Sequence, residues 1–102
     1  MRIMLACALG MSTGMLVEKM REAAKSQNKD YKIWAVDVGS VGKNKGEFDV
    51  LLLGPQVNYV LDDMEKAYGA ETPVAVIKPI DYGRMNGAAV LKFAESLVEA
   101  RA

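Results

Sequence analysis

The sequence predicts a small α/β protein: a doubly wound sheet of four parallel strands in the order 2-1-3-4, with helices on both faces. Two observations predict it. Residues 3–6, 33–38, 50–53 and 74–77 are short apolar runs, rich in branched side chains and bounded by turn residues or charges. Their near-continuous apolarity suits strands covered on both faces, as in a parallel sheet. Three further stretches, 12–26, 55–68 and 86–101, carry helical periodicity. Right-handed crossovers wind this series into one sheet.

Each element has its own signature. Strand 1 (3–6) delivers Cys7, the only cysteine in the chain, into a Gly/Ser/Thr turn. The helix over 12–26 puts Leu16, Met20, Ala23 and Ala24 on one stripe, with Ser12 or Thr13 placed to cap its start. After strand 2 (33–38), the polar, glycine-rich 39–46 (GSVGKNKG) favours a loop over a short helix, although a crossover must still be made there. Strand 3 (50–53) runs into Gly54-Pro55, which opens a helix over 55–68 with Pro at its first position. Val57, Val60, Leu61 and Met64 form its stripe, and Gly69 is its stop. Strand 4 (74–77) leads through Asp81-Tyr82-Gly83 to a last helix striped by Val90, Leu91, Ala94, Leu97 and Val98.

Composition narrows the function. The 102 residues are expected to form one domain over 1–102, and 51% hydrophobic residues suffice for a core. Thirteen basic against 13 acidic residues argue against a long-range grip on nucleic acid or anionic lipid. No apolar run approaches the about 20 residues of a membrane span, and the N-terminal run is too short for a signal peptide. A lone cysteine forms no internal disulfide, which places the protein in a reducing cytoplasm. The chain has no histidine. That excludes histidine metal sites, Cys/His nucleophile pairs and a phosphohistidine on this chain; no metal or cofactor is expected.

In a doubly wound sheet, ligands bind beyond the carboxyl ends of the strands, beside the switch point at strand 1. Cys7, the Gly54-Pro55-Gln56 turn and the loop at Asp81-Tyr82-Gly83 should all meet on that rim. Between Cys7 and the helix lie Ala8, Leu9, Gly10, Met11, Ser12 and Thr13. Gly10 permits a positive φ, so that successive amides turn inward as an anion-binding nest. The helix start adds free N–H groups and the positive end of its dipole, and the same field favours a thiolate. A nucleophilic thiol and a phosphate cradle are thus one construction. The plainer reading stands beside it: a lone Cys is often a buried hydrophobe, and Gly10, Ser12 and Thr13 serve equally as turn and cap residues.

The stretch "CALGMSTGMLVEKM" (7–20) resembles the active-site loop of enzyme IIB of the lactose/cellobiose/chitobiose phosphotransferase system. "FDVLLLGPQVNYVL" (48–61) resembles that family's third strand and following helix, and "DYGRMNGAAVLKFA" (81–94) its last loop and helix. The likeness runs nearly end to end. Two positions are less typical: Gly14 stands where the family usually has Ser, and Leu9 precedes the loop glycine. The resemblance implies a phosphocysteine relay. Cys7 would take a phosphoryl group from a phosphohistidine on a IIA protein. It would pass that group to a sugar held by the membrane IIC component, a β-linked disaccharide such as cellobiose, lactose or chitobiose. Gly14, Gln56, Asp81, Tyr82 and Arg84 would be rim or partner contacts, and Met11 an apolar one.

Two rivals share the architecture. A low-molecular-weight tyrosine phosphatase also begins strand, Cys loop, helix, but needs Cys-x-x-x-x-x-Arg-Ser/Thr. Thr13 and Gly14 occupy the last two positions here, so the guanidinium that binds the dianion and stabilises the transferring group is missing. A flavodoxin-like or receiver-type binding module would need rim aromatics, or an acidic group after strand 1; this chain has Leu5-Ala6-Cys7 there.

Overall fold

The computed structural model describes residues 1–8 and 11–101, the side chains of Met11 and Ser12 excepted. Strand β1 is Arg2–Cys7, followed by helix α1, Met11–Ser26, and strand β2, Lys32–Asp37. A 3₁₀ segment, Val38–Asn44, crosses to β3, Val50–Leu53. A second 3₁₀ segment, Pro55–Val60, runs into helix α2, Leu61–Tyr68. Strand β4, Val74–Val76, helix α3, Pro79–Gly83, and helix α4, Gly87–Glu99, complete the chain. The strands pair in parallel in the order β2-β1-β3-β4, as the sequence predicts.

Alternation along the strands divides the interior in two. Ile3, Leu5, Val50 and Leu52 face Leu16, Val17 and Met20 of α1 and Val90, Leu91 and Ala94 of α4. Met4, Ala6, Leu51 and Leu53 face Val41, Phe48 and Val57 on the other side. Each fully buried aliphatic side chain contributes about 1.5–3 kcal/mol relative to exposure. Both faces of β1 and β3 are therefore covered, which is why their sequences read as unbroken apolar runs. The edge of β2 has its own protection: Arg21 donates from Nε (2.9 Å) and Nη2 (2.6 Å) to the carbonyl of Ile33.

Four local expectations are corrected. The 39–46 segment is mostly 3₁₀ helix rather than loop, because Val41, 1% exposed, anchors it on the sheet. The helix over 55–68 is broken: Val57 adopts φ −115°, ψ 27°, a kink that accompanies its complete burial, and α-helix begins only at Leu61. The 81–83 loop lies inside α3, opened by Pro79. Neither Ser12 nor Thr13 caps α1; the helix begins at Met11, and both lie within its first turn. Gly69 does end α2, but at φ −64° rather than in the left-handed region.

The α1–α4 contact is close. A Cβ on Gly87 would lie 2.3 Å from the Lys19 carbonyl carbon and 2.6 Å from the Met20 nitrogen. Only glycine allows the start of α4 to seat on the α1 backbone there. Asn86 caps α4 by accepting from the Ala89 N–H at 3.1 Å.

Candidate functional site

Cys7 is the last residue of β1, which lies between β2 and β3. This is the switch point of the sheet. Ile3 to Ala6 have no exposure; Cys7 retains 5%. Its register partner on β2 is Asp37. On the other side, Gly54 donates its N–H to the Ala6 carbonyl at 2.9 Å. A Cβ on Gly54 would stand 3.4 Å from the Cys7 Cβ and 3.2 Å from Oε1 of Gln56. The turn after β3 therefore lies directly against the cysteine, and Gln56 lies beside that contact. Beyond it, the Ile77 N–H donates to the Leu53 carbonyl at 2.9 Å, bringing the end of β4 level with the end of β3.

The start of α1 is tied to the same rim. The side chain of Thr13 is fully buried, and its hydroxyl lies 3.0 Å from the Tyr82 hydroxyl. Tyr82 itself is 6% exposed and packs with Leu16, Leu91 and their neighbours. Its ring is part of the core rather than a free rim aromatic.

The remaining sequence candidates separate. Ala8 is exposed at a bend directly after the strand. Leu9 and Gly10, with the side chains of Met11 and Ser12, lie outside the described residues. Gly14 is exposed, and a Cβ there meets nothing within 4 Å, so the family's usual Ser would fit without rearrangement. Asp81 is half-buried and, with Lys78, Lys92, Phe93 and Ser96, lines a shallow hollow of about 320 Å³ between α3 and α4 that does not include Cys7. Arg84 is exposed at the end of α3.

Sequence reasoning missed three features of this pole. Asp37, beside Cys7 in register, has as its only signal a lone acid at the end of a predicted strand. The Thr13–Tyr82 pair spans 69 positions and leaves no local mark. The third is a set of exposed apolar side chains. Met15 (63% exposed), Tyr59 (74%) and Ile80 (58%) are the exposed large hydrophobics among the described residues. Each lies on an element that leaves the carboxyl end of a strand.

A family model described as "PTS system, Lactose/Cellobiose specific IIB subunit" matches residues 2–93. The chain belongs to that IIB family. This IIB protein is 46% identical over 102 residues to the galactose-specific EIIB component of Lactococcus lactis subsp. cremoris (strain MG1363), with 94% of each chain covered. The same identity and coverage relate it to the cellobiose-specific EIIB component of Lactococcus lactis subsp. lactis (strain IL1403). The solution structure of the cellobiose-specific phosphotransferase IIB component from Borrelia burgdorferi superposes with a TM-score of 0.83 at 36% identity, covering 100% of this chain and 94% of that one. As a IIB component the protein is a phosphotransferase of sugar uptake, and membership implies IIA and IIC partners. Among the described residues, no helix is long and apolar enough to cross a membrane.

Proposed function

We propose that Cys7 carries the phosphoryl group. The sulfur of its thiolate attacks the phosphorus of a phosphohistidine on a IIA protein. An S–P bond forms, the N–P bond breaks, and its electron pair returns to the donor imidazole. In the second step a sugar hydroxyl attacks the same phosphorus. An O–P bond forms, the S–P bond breaks and the thiolate is regenerated, while the hydroxyl proton passes to a base on the acceptor side or to solvent. Backbone N–H donors of Ala8, Leu9 and Gly10, and of Met11, Ser12 and Thr13 at the start of α1, hold the phosphoryl group.

The observation that carries this reading is the placement of Cys7: the end of a central strand, against Gly54, with α1 beginning at Met11. A packing cysteine has no need of a strand end with a helix starting four residues later. At Gly54 the turn after β3 comes against the Cys7 Cβ without a side chain of its own. Thr13 stands where a tyrosine phosphatase carries its arginine, and it is buried on Tyr82. Without that guanidinium, hydrolysis is slow, which suits a group that must survive until the acceptor arrives.

Further proposals follow from the same reading. The protein works in the cytoplasm and meets the membrane IIC protein transiently, with Met15, Tyr59 and Ile80 offering apolar contact to partners. Gln56 offers an amide donor at the rim; Gly14, Asp81 and Arg84 are contacts of the outer rim. The sugar is a β-linked disaccharide such as cellobiose, lactose or chitobiose. Relatives specific for galactose and for cellobiose are equally similar to this chain, so the choice of sugar is assigned to IIC.

The test is phosphorylation by phosphoenolpyruvate, the general phosphotransferase proteins and a IIA protein, followed by intact mass. Wild type should gain one phosphoryl group and Cys7→Ser none. An equal adduct on Cys7→Ser would overturn the assignment. Rapid turnover of an aryl phosphate by the protein alone would favour the phosphatase instead.

A further inference from the structure

We propose that Tyr82 is a positioning residue for phosphoryl transfer, acting through Thr13 on the first turn of α1. The inference rests on the reading that Cys7 carries the phosphoryl group. A buried hydroxyl without a partner costs about 1–3 kcal/mol. Thr13 is fully buried, and Tyr82 supplies a partner at 3.0 Å. Nothing in the packing of an α/β core demands a polar pair at this point. Valine and phenylalanine would fill the same space, so the hydroxyls point to a directional role.

The segment that carries Tyr82 is firmly built. The Tyr82 N–H donates to the Lys78 carbonyl at 3.0 Å, the Met85 N–H to the Tyr82 carbonyl at 3.1 Å, and the Asn86 N–H to the Asp81 carbonyl at 2.9 Å. Met85 then takes φ 51°, a left-handed conformation uncommon for a side chain of its size. That turn sends the chain into α4, where Gly87 seats on the backbone of Lys19 and Met20. One short segment therefore grips α1 twice: at its first turn through the hydroxyl pair, and farther along through the glycine contact. Two grips on a rigid helix fix both its slide along the sheet and its rotation. The slide sets how far the helix N-terminus stands from Cys7. Donors around a transferring phosphoryl group act only when held in place, and a misplacement of about 1 Å costs up to about a hundredfold in rate.

The test compares full-length Tyr82→Phe, Thr13→Val, Thr13→Ser and the double variant Thr13→Val/Tyr82→Phe. The readout is the rate of phosphoryl acceptance at varied concentrations of a phosphorylated IIA protein. Tyr82→Phe should lower kcat roughly ten- to a hundredfold and leave KM for the donor unchanged. Thr13→Val should match it, Thr13→Ser should retain most of the rate, and the double variant should be no slower than the slower single. Wild-type kcat in Tyr82→Phe, a rise in KM alone, or single effects that multiply in the double variant would each overturn the proposal. If Thr13→Val does not fold, Tyr82→Phe and Thr13→Ser decide between these outcomes. Cys7→Ser, run alongside, reports separately on the underlying reading. Its labelling at the wild-type level would sink the cysteine assignment whatever the tyrosine variants do.

Discussion

At the scale of single residues, Gly54 is the position most closely bound to the proposed chemistry. Its missing side chain leaves room beside Cys7, where a Cβ would already be in van der Waals contact at 3.4 Å. Gly54 has φ −61°, so backbone strain is no obstacle to substitution. Gly54→Ala should therefore fold and transfer with a modest loss. Gly54→Val adds branches toward Cys7 and Gln56 and should lower phosphoryl acceptance about tenfold or more, with a smaller effect on stability. Mass-resolved phosphorylation time courses, with denaturant unfolding in parallel, check both. Equal rates in the two variants would show that the space between Gly54 and Cys7 is not used. The place of Cys7 at the end of β1 was legible in the sequence, because the apolar run before it stops at a glycine-containing stretch. The Thr13–Tyr82 contact was not. Each residue has an adequate local role, as a cap or a rim aromatic, and only the fold brings their hydroxyls within 3.0 Å.

At the scale of elements, the strands were legible and the connections less so. The apolar runs place β1 and β3 to within a residue, because burial on both faces leaves no alternation to misread. Val38–Asn44 and Pro79–Gly83 were not legible as helix. Neither is long enough to show a period, and the buried side chain of each, Val41 or Tyr82, is covered by elements distant in sequence. Gly87 belongs to this scale too. Alanine normally gains about 1 kcal/mol over glycine in a helix interior. Here the added Cβ would overlap the α1 backbone, so α1 and α4 must move apart. Gly87→Ala is expected to destabilise by about 1–3 kcal/mol, read as a lower urea midpoint with unchanged slope. Since α1 begins four residues after Cys7, the same variant should also slow the proposed phosphorylation.

For the whole molecule, two ion pairs tie distant stretches of chain and set the response to pH. Glu95 on α4 accepts from Lys29 and, at 2.7 Å, from the Tyr31 hydroxyl. Burial pushes the Glu95 carboxyl up, but the bonds from Lys29 and Tyr31 outweigh it and hold the carboxyl below its usual 4.5. Asp49 is likewise held below its usual value, first by the Arg2 side chain. In the unfolded chain both carboxyls take up protons at a higher pH than in the fold. Their contribution is therefore complete above the ordinary carboxylate range and lost as pH falls through the lowered folded values. Stability should fall on acidification below about pH 4.5, and Glu95→Gln should flatten that limb while lowering stability at neutral pH. Tyr31 behaves oppositely. Its hydroxyl is pushed up to about 12, first by the bond to Glu95 and then by burial. That contribution is present below pH 10 and disappears as pH rises through 12. Urea titrations across the pH range test both limbs.

The guanidinium of Arg21 on Ile33 has a consequence for crowded solutions. It occupies an acceptor on the outer strand that a second chain would otherwise use to extend the ladder. Arg21→Ala would uncover that hydrogen-bonding seam while leaving the rim around Cys7 intact. Such a variant should keep its activity when dilute yet precipitate, or stack into ordered polymers, when concentrated. Light scattering against concentration would show the threshold drop.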